Sequence, residues 1–488
     1  LGPMSSTKTI EQAEHFPIPE DAKRVAAPAA AGRTDVRPPD EKRPRERFLP
    51  ITVSALMDRL THDTAWPVGG QAAEARRFFR YLDYWREQQY DAKLVELDHA
   101  YEPFNPDSDL LITRTFSEAE CKVLQKRVVG HVKDLLRQAN YEPIDTTNIE
   151  KIITKETHYG LDLWVDFDVF EELLIYYRGA SNRREQRRSW RKFLRKEEFE
   201  VPIFRRLFVL FKVRTEADHI RKVMIAQKIE HREAERIVKR SRSLLSESIK
   251  PGNIYMKLFK NMPRADVEMA FPNTRVKFRL FDKIKLGATA GGGLGYGAFS
   301  AAGKIALISA NPVAAAGALV ALGGIAFRQA VSFMNQRQRY MVVLAQNLYF
   351  HSMADNHAAM VTLAVRAAEQ DVKEEMLLYS VLAKAPAYRS QLKAVDDAIE
   401  EYLHKSFDLH VNFDINDALG RLLHDGIVTE DSTGMLRALP PREAADHLDR
   451  QWDVFLDNLS DIGPAEGTEI EDADAQADGL AAAAPTAS

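Results

Sequence analysis

At 488 residues, with 45% hydrophobic and 28% charged side chains, the chain is long enough for several compact units and too apolar to be disordered throughout. A net charge of −4 excludes a general attraction to polyanions, so any such affinity must come from a local patch. The single cysteine, Cys121, excludes an internal disulfide, and its place in a helical pattern marks it as a small packed apolar residue.

Residues 1–46 are rich in Pro, Ala and charge and read as a disordered arm. Residues 47–157 are predicted helical. Apolar positions recur at helical spacing over 53–60, 75–94 and 123–139, and Asp145-Thr146-Thr147 signals a further short helix. The period changes to two over 158–283. Leu161, Leu163 and Val165 alternate with polar or aromatic neighbours, as do Ile254, Met256 and Leu258, then Val276, Phe278 and Leu280. An antiparallel sheet is predicted there, with a charged helix over roughly 216–247 inserted into it.

Residues 284–335 are predicted to form a membrane hairpin of two helices. Between 286 and 327 the one charged residue is Lys304. The uncharged stretches on either side would extend roughly 27 and 35 Å as helices, against a hydrocarbon core of about 30 Å. Gly287, Gly291 and Gly295 recur every four residues, the spacing that lets helices pack closely in lipid. Arg275, Lys277, Arg279, Lys283 and Lys285 precede the segment, and Arg328, Arg337 and Arg339 follow it. By the positive-inside rule this implies an integral membrane protein with its soluble portions on the cytoplasmic face. A buried Ala/Gly hairpin inside a soluble core is the competing reading. A phosphate-cradling loop is a poorer reading, because Gly297-x5-Gly303-Lys304 has one residue too many and Ile305 replaces the required hydroxyl.

Residues 336–404 are predicted helical, and 405–460 a winged-helix-like module. There Asp414 caps a helix with Ile415, Leu419, Leu422 and Leu423 on one face, followed by strand, turn and strand. Residues 461–488 are acidic and Ala-rich and read as a disordered tail. The expected class is therefore α+β: a helical N-terminal region, an antiparallel sheet, a central two-helix membrane hairpin and a C-terminal winged-helix-like module.

Charge supplies the leading partner. The strand 275–280 places Arg275, Lys277 and Arg279 on one face, directly ahead of the predicted bilayer, where each cation near anionic headgroups is worth about 1 kcal/mol. Together with Lys283 and Lys285 they are the candidate headgroup contacts. Further basic sets lie at 183–196 and at Arg232, Arg236, Lys239, Arg240 and Arg242. Arg178 and Gly179, with Lys257, Lys260, Asp266 and Glu268, are the candidate residues for a polar binding site at the sheet's end. Structural ion pairing among the same charges is the more ordinary use of them. Asp162, Asp166 and Asp168 would share a strand face without matching a cation loop, and His351, Asp355 and His357 lack the spacing of a helical zinc site. No metal site, cofactor or catalytic motif is expected, and Cys121 has no evident His partner. Helix 415–424 offers only Arg421 and His424 against Asp414, Asp417 and Asp425, so no nucleic-acid partner is expected.

The blocks Glu46-Arg47-Phe48-Leu49-Pro50-Ile51, Tyr101-Glu102-Pro103-Phe104-Asn105-Pro106-Asp107, Tyr177-Arg178-Gly179, Lys257-Leu258-Phe259-Lys260-Asn261-Met262-Pro263, Ala265-Asp266-Val267-Glu268-Met269 and Lys373-Glu374-Glu375 resemble the transmembrane-protein-143-like family. The resemblance runs in order from about 46 to 458. It implies membrane spans and a domain of unknown function, and it supplies no reaction. The expected function is thus a membrane-anchored, non-enzymatic binding or scaffolding protein in contact with anionic lipid. One alternative is an enzyme acting on a phosphate-bearing or lipid substrate. Another is an oligomer or pore assembled through the glycine rows, and a protein partner or homo-oligomer is the accompanying partner expectation.

Overall fold

The computed structural model describes residues 46–62, 65–66, 69–111, 113–145, 161–188, 196–243, 245–264, 267, 270–272, 274–278, 348–459 and 467–469. In chain order the N-terminal part holds α1 (Val53–Leu60), α2 (Gln71–Tyr101), β1 (Arg114–Thr115), α3 (Glu118–Gln138) and β2 (Glu142–Pro143). The middle holds β3 (Leu161–Val165), β4 (Phe170–Arg188), β5 (Lys196–Val213), α4 (Glu216–Gln227), α5 (His231–Arg242), β6 (Ile254–Pro263), β7 (Thr274–Phe278) and β8 (Ser352–Asp355). The C-terminal part holds α6 (Asn356–Leu382), β9 (Ala387–Tyr388), α7 (Leu392–Phe407), α8 (Ile415–His424), β10 (Val428–Glu430), β11 (Met435–Ala438), α9 (Pro441–Asp453), α10 (Phe455–Asn458) and β12 (Thr468–Glu469). The chain divides into two compact units, one from 1–142, 178–180 and 356–488, the other from 143–177 and 181–355.

The first unit is helical and is built on α6. From Gln370 to Leu382 every side chain of α6 is buried, so this helix is enclosed on all sides rather than along one stripe. Its apolar residues Val372, Met376, Leu377, Leu378, Tyr379, Val381 and Leu382 share one core with Leu56 and Leu60 of α1, Phe78, Phe79 and Leu82 of α2, and Leu419 and Leu422 of α8. The Phe78 and Tyr379 rings lie 4.3 Å apart and the Phe79 and Tyr379 rings 6.0 Å apart. Helix α3 begins at a reciprocal cap: Ser117 Oγ accepts from the Glu120 N–H and Glu120 Oε2 accepts from the Ser117 N–H.

Beyond α6, α8 and the β10–β11 hairpin follow the helix–strand–turn–strand order. The three-stranded sheet runs β10–β11–β9, all antiparallel, and takes its third strand from residues 387–388. Gly434, at φ 77, closes the hairpin turn, a conformation that favours glycine. Inside the stretch read as a disordered tail, Thr468–Glu469 pairs with Arg114–Thr115.

A five-stranded sheet runs in the order β2–β4–β5–β6–β8, with β5, β6 and β8 wholly in the second unit. β5 and β6 pair antiparallel from Ile203↔Pro263 to Lys212↔Ile254. Leu207, Val209 and Phe211 pack on one face with Phe259 and Met262, while Phe208 and Leu210 are also fully buried. A strand buried on both faces explains why this run does not alternate in the sequence. β3 and β7 form a separate antiparallel pair. The single charged helix expected over 216–247 is two helices. Thr215 caps α4, Lys228 turns left-handed at φ 54 and ends it, and α5 restarts after Glu230. Ile220, Val223, Ala234 and Val238 pack the two together.

No helix among the described residues is long and apolar enough to cross a membrane. This overturns the expected central membrane hairpin, and with it the integral membrane placement and its cytoplasmic-face topology. What stands is mixed helix and antiparallel sheet. The expectation rested on missing charge, and Gly and Ala without charge still bury little apolar area per residue. Residues 284–335, Gly287, Gly291 and Gly295 among them, lie outside the described residues. So do the short helix predicted after Asp145 and nearly all of the two terminal arms.

Phe78→Ala should destabilise the protein by about 3–5 kcal/mol in urea unfolding, because it empties the ring cluster around Tyr379. Tyr84→Ala, on the exposed side of the same helix, should stay within about 0.5 kcal/mol.

Candidate functional site

The polar chemistry of the first unit gathers where α2, α6 and α8 meet. Asp371, Glu374 and Glu375 lie at helical spacing on α6 and are 1%, 3% and 0% exposed. Carboxylates so far from water need partners. Arg86 of α2 supplies one, with Nε and Nη2 each 2.9 Å from the Glu375 carboxylate and Nη2 also on Asp425. Arg421 of α8 supplies the other. Its Nε reaches Glu375 Oε1 at 2.6 Å, Nη2 reaches Glu374 Oε2 at 2.9 Å, and Nη1 stands 3.1 Å from Asp371 Oδ1 and also contacts Asp417. Tyr90 donates to Asp371 Oδ2 at 2.6 Å, Trp85 donates to Asp425 at 3.3 Å, and Asn140 and Gln370 both donate to Glu374 Oε1. Lys373 points the other way, donating to the Leu49 carbonyl at 2.9 Å and the Ile51 carbonyl at 3.3 Å.

Five carboxylates therefore surround two guanidinium groups. Burial raises the pKa of Asp371 to about 6 and that of Glu374 to about 7, against the opposing pull of Arg421. Burial also lowers Lys373 to about 8. Close to neutral pH the network thus shares protons as well as charge. A cleft of about 460 Å³ opens onto it, with Arg86, Tyr90, Lys93, Asp371, Asp417 and Arg421 in its lining. Burial lowers the pKa of Lys93, whose ammonium lies 4.7 Å from the Tyr90 ring centre. Carboxylate oxygens of Asp371, Glu374 and Asp417 fall within 4.8 Å of one another, the reach of a hard-cation site. The Arg421 guanidinium, which contacts all three, already serves as their cation.

The residues singled out in the sequence are distributed differently. Arg178 belongs to the first unit. Its guanidinium lies 4.9 Å from the Phe48 ring centre and 5.1 Å from that of Tyr141, and it donates to the Ala139 carbonyl. It is a packed cation–π clamp. Gly179 follows it at φ 73, buried. Lys257 and Lys260 belong to the second unit, where Lys257 pairs with Asp355 at 3.0 Å and the Lys260 carbonyl meets His351 Nδ1 at 2.8 Å. Asp166 and Asp168 engage Ser241 and Lys222 in the same unit. Arg275 and Lys277 sit on β7 opposite Trp164 and Asp162 of β3. Asp266, Glu268, Arg279, Lys283 and Lys285 lie outside the described residues.

One basic set does form a face. On α5, Ala234, Val238 and Ser241 are buried, and Arg232, Arg236 and Lys239 stand exposed at i, i+4 and i+7. Among the described residues none of these three cations pairs with a carboxylate. The strands and helices around this face match a known sequence family. Residues 170–358 carry a DUF3754 domain, described as a protein of unknown function. No solved structure matches the chain. The basic face of α5 lies inside the DUF3754 domain, and the buried carboxylates, which start at Asp371, lie beyond it.

Sequence reasoning missed the ion network. Gln370-Asp371-Val372-Lys373-Glu374-Glu375 has the composition of a solvated helix face. The available signal was the run Met376-Leu377-Leu378-Tyr379 directly after it, which leaves no side of the helix for water.

Arg421→Leu should cost about 3–5 kcal/mol in denaturant unfolding, since it strands several buried carboxylates. The pH dependence carries a definite sign. The unfolded chain releases these protons near pH 4, whereas the folded protein holds them to about 6 on Asp371 and about 7 on Glu374. The folded state binds more protons in that interval, so this part of the stability falls as pH rises through it. Asp371→Asn with Glu374→Gln should flatten the slope of unfolding free energy against pH between about 4 and about 7, relative to the unaltered chain.

Proposed function

We propose that the protein works by binding rather than by catalysis, and that it engages phosphate-bearing anions through the basic face of α5, with acidic lipid headgroups as the leading source. The observation that carries this reading is the exposed row Arg232, Arg236 and Lys239, unpaired with any carboxylate among the described residues, on a short helix whose other side is anchored by Ala234 and Val238. Cations presented in this way attract anionic surfaces without any segment entering the bilayer. Arg178, packed between Phe48 and Tyr141, supports the non-enzymatic side, because the polar site that an enzyme reading needed there is filled by the protein's own rings. The narrower likeness to the transmembrane-protein-143-like family belongs to this proposal too, and it adds no reaction.

An enzyme reading has one observation in its favour: carboxylates with raised pKa beside a cleft. Against it, Asp371 is held by both Tyr90 and Arg421, so the carboxylate with the raised pKa is already engaged by the protein's own groups.

Vesicle co-sedimentation of the full chain tests the proposal. Binding to phosphatidylcholine vesicles should be weak, rise with added phosphatidylserine and fall with salt. Arg232→Glu with Arg236→Glu and Lys239→Glu should weaken it by about 3 kcal/mol or more, roughly a hundredfold. Equal binding to neutral vesicles, or binding untouched by the triple reversal, would refute it. Pyrophosphate binding that depends on the same three residues, without vesicle binding, would instead assign a soluble phosphate source.

A further inference from the structure

We propose that His404, Asp408 and His410 form a binding site for a zinc-class divalent cation on the first unit. Their ligand atoms lie within 4.8 Å of one another, and all three side chains are exposed. His404 Nδ1 is 3.9 Å from Asp408 Oδ1, and the two imidazole centres are 4.4 Å apart.

The backbone brings these residues together. His404 occupies the last turn of α7, and Asp408 follows one turn later as its C-cap. Asp408 is left-handed at φ 53, and its N–H donates to the His404 carbonyl at 2.9 Å. That reversal folds the chain back so that residue 410 returns beside residue 404. His410 is then fixed from the far side: its carbonyl accepts from the Glu46 N–H at 3.1 Å, and the Asn412 N–H donates to the Glu46 carbonyl at 2.8 Å. Both hinge points are hydrogen-bonded, so the cluster does not depend on a loose loop.

The donor set selects the ion. Two imidazoles and a carboxylate suit zinc, nickel or copper, whereas calcium and magnesium favour oxygen ligands. Tetrahedral zinc with bonds near 2.0–2.1 Å places its ligand atoms about 3.3 Å apart. The observed separations therefore need to close by up to about 1.5 Å, which exposed side chains reach by rotations about their staggered positions. Three protein ligands leave a coordination position for water or for a group from a partner. Unlike the carboxylates around Arg421, this cluster has no guanidinium at its centre among the described residues. A bound ion would tie the end of α7 to the segment at Glu46.

The test is zinc titration of the metal-free, tag-free full chain by calorimetry, with cobalt(II) absorption as a second readout. One saturable equivalent is expected, with visible cobalt bands from mixed nitrogen and oxygen ligation. His404→Ala with His410→Ala should weaken binding at least tenfold and remove those bands. Asp408→Gly separates a ligand role from a structural one. Glycine adopts the left-handed conformation freely, so the metal-free variant should melt no lower than the unaltered chain while its zinc affinity still falls. No saturable uptake at micromolar zinc overturns the site, as does an unchanged equivalent in the double variant or unchanged affinity in Asp408→Gly.

Discussion

Two arginines, Arg86 and Arg421, neutralise a run of carboxylates that the fold has removed from water, and the helical unit is organised by that neutralisation. Asp371, Glu374 and Glu375 sit on a helix with no solvated side. Each must therefore be answered by a neighbouring element, and the answering groups come from α2 and α8. Because guanidinium–carboxylate geometry is directional, those contacts set where α2 and α8 lie along α6 more sharply than apolar packing alone would. A buried ion network adds little net stability compared with a well-packed apolar core, so its contribution is best understood as register.

The same network explains why chemistry is legible near the cleft without a reaction being evident. Raised pKa values beside an opening are a signature of catalytic sites. Here burial and an excess of carboxylates produce them, and the opposing arginines hold every acid in place. Polar groups free to meet a partner occur elsewhere: on α5 in the second unit, and at the end of α7 in the first. Both lie on short helical features whose inner sides are anchored, which gives fixed geometry at an exposed position.

The errors of the sequence reading have specific causes. The hairpin expectation equated the absence of charge with affinity for lipid, although Gly and Ala supply little apolar surface. The helix expected over 216–247 broke at Lys228, a residue that gives no warning of a left-handed turn. Arg178, grouped with Lys257 and Lys260 on the strength of strand ends, packs against Phe48 and Tyr141 in the first unit, a contact that no local window of sequence shows. Clusters that depend on residues distant in sequence, such as Arg86 with Glu375, leave no mark in any local window.

The sequence by itself determined the local elements. Apolar periodicity marks α1, α2 and α3, and alternation marks β3 and β6. Side-chain spacing along one segment is enough for these, since they depend on neighbours within a turn or two. Only the tertiary structure decided that residues 46–142 and 356–459 build one helical core with the sheet unit between them in the chain, and that Asp371, Glu374 and Glu375 face inward. The physical reason is that a charge reads as solvated until its counter-charge is located, and here that counter-charge lies 46 residues away at Arg421 or 289 residues away at Arg86.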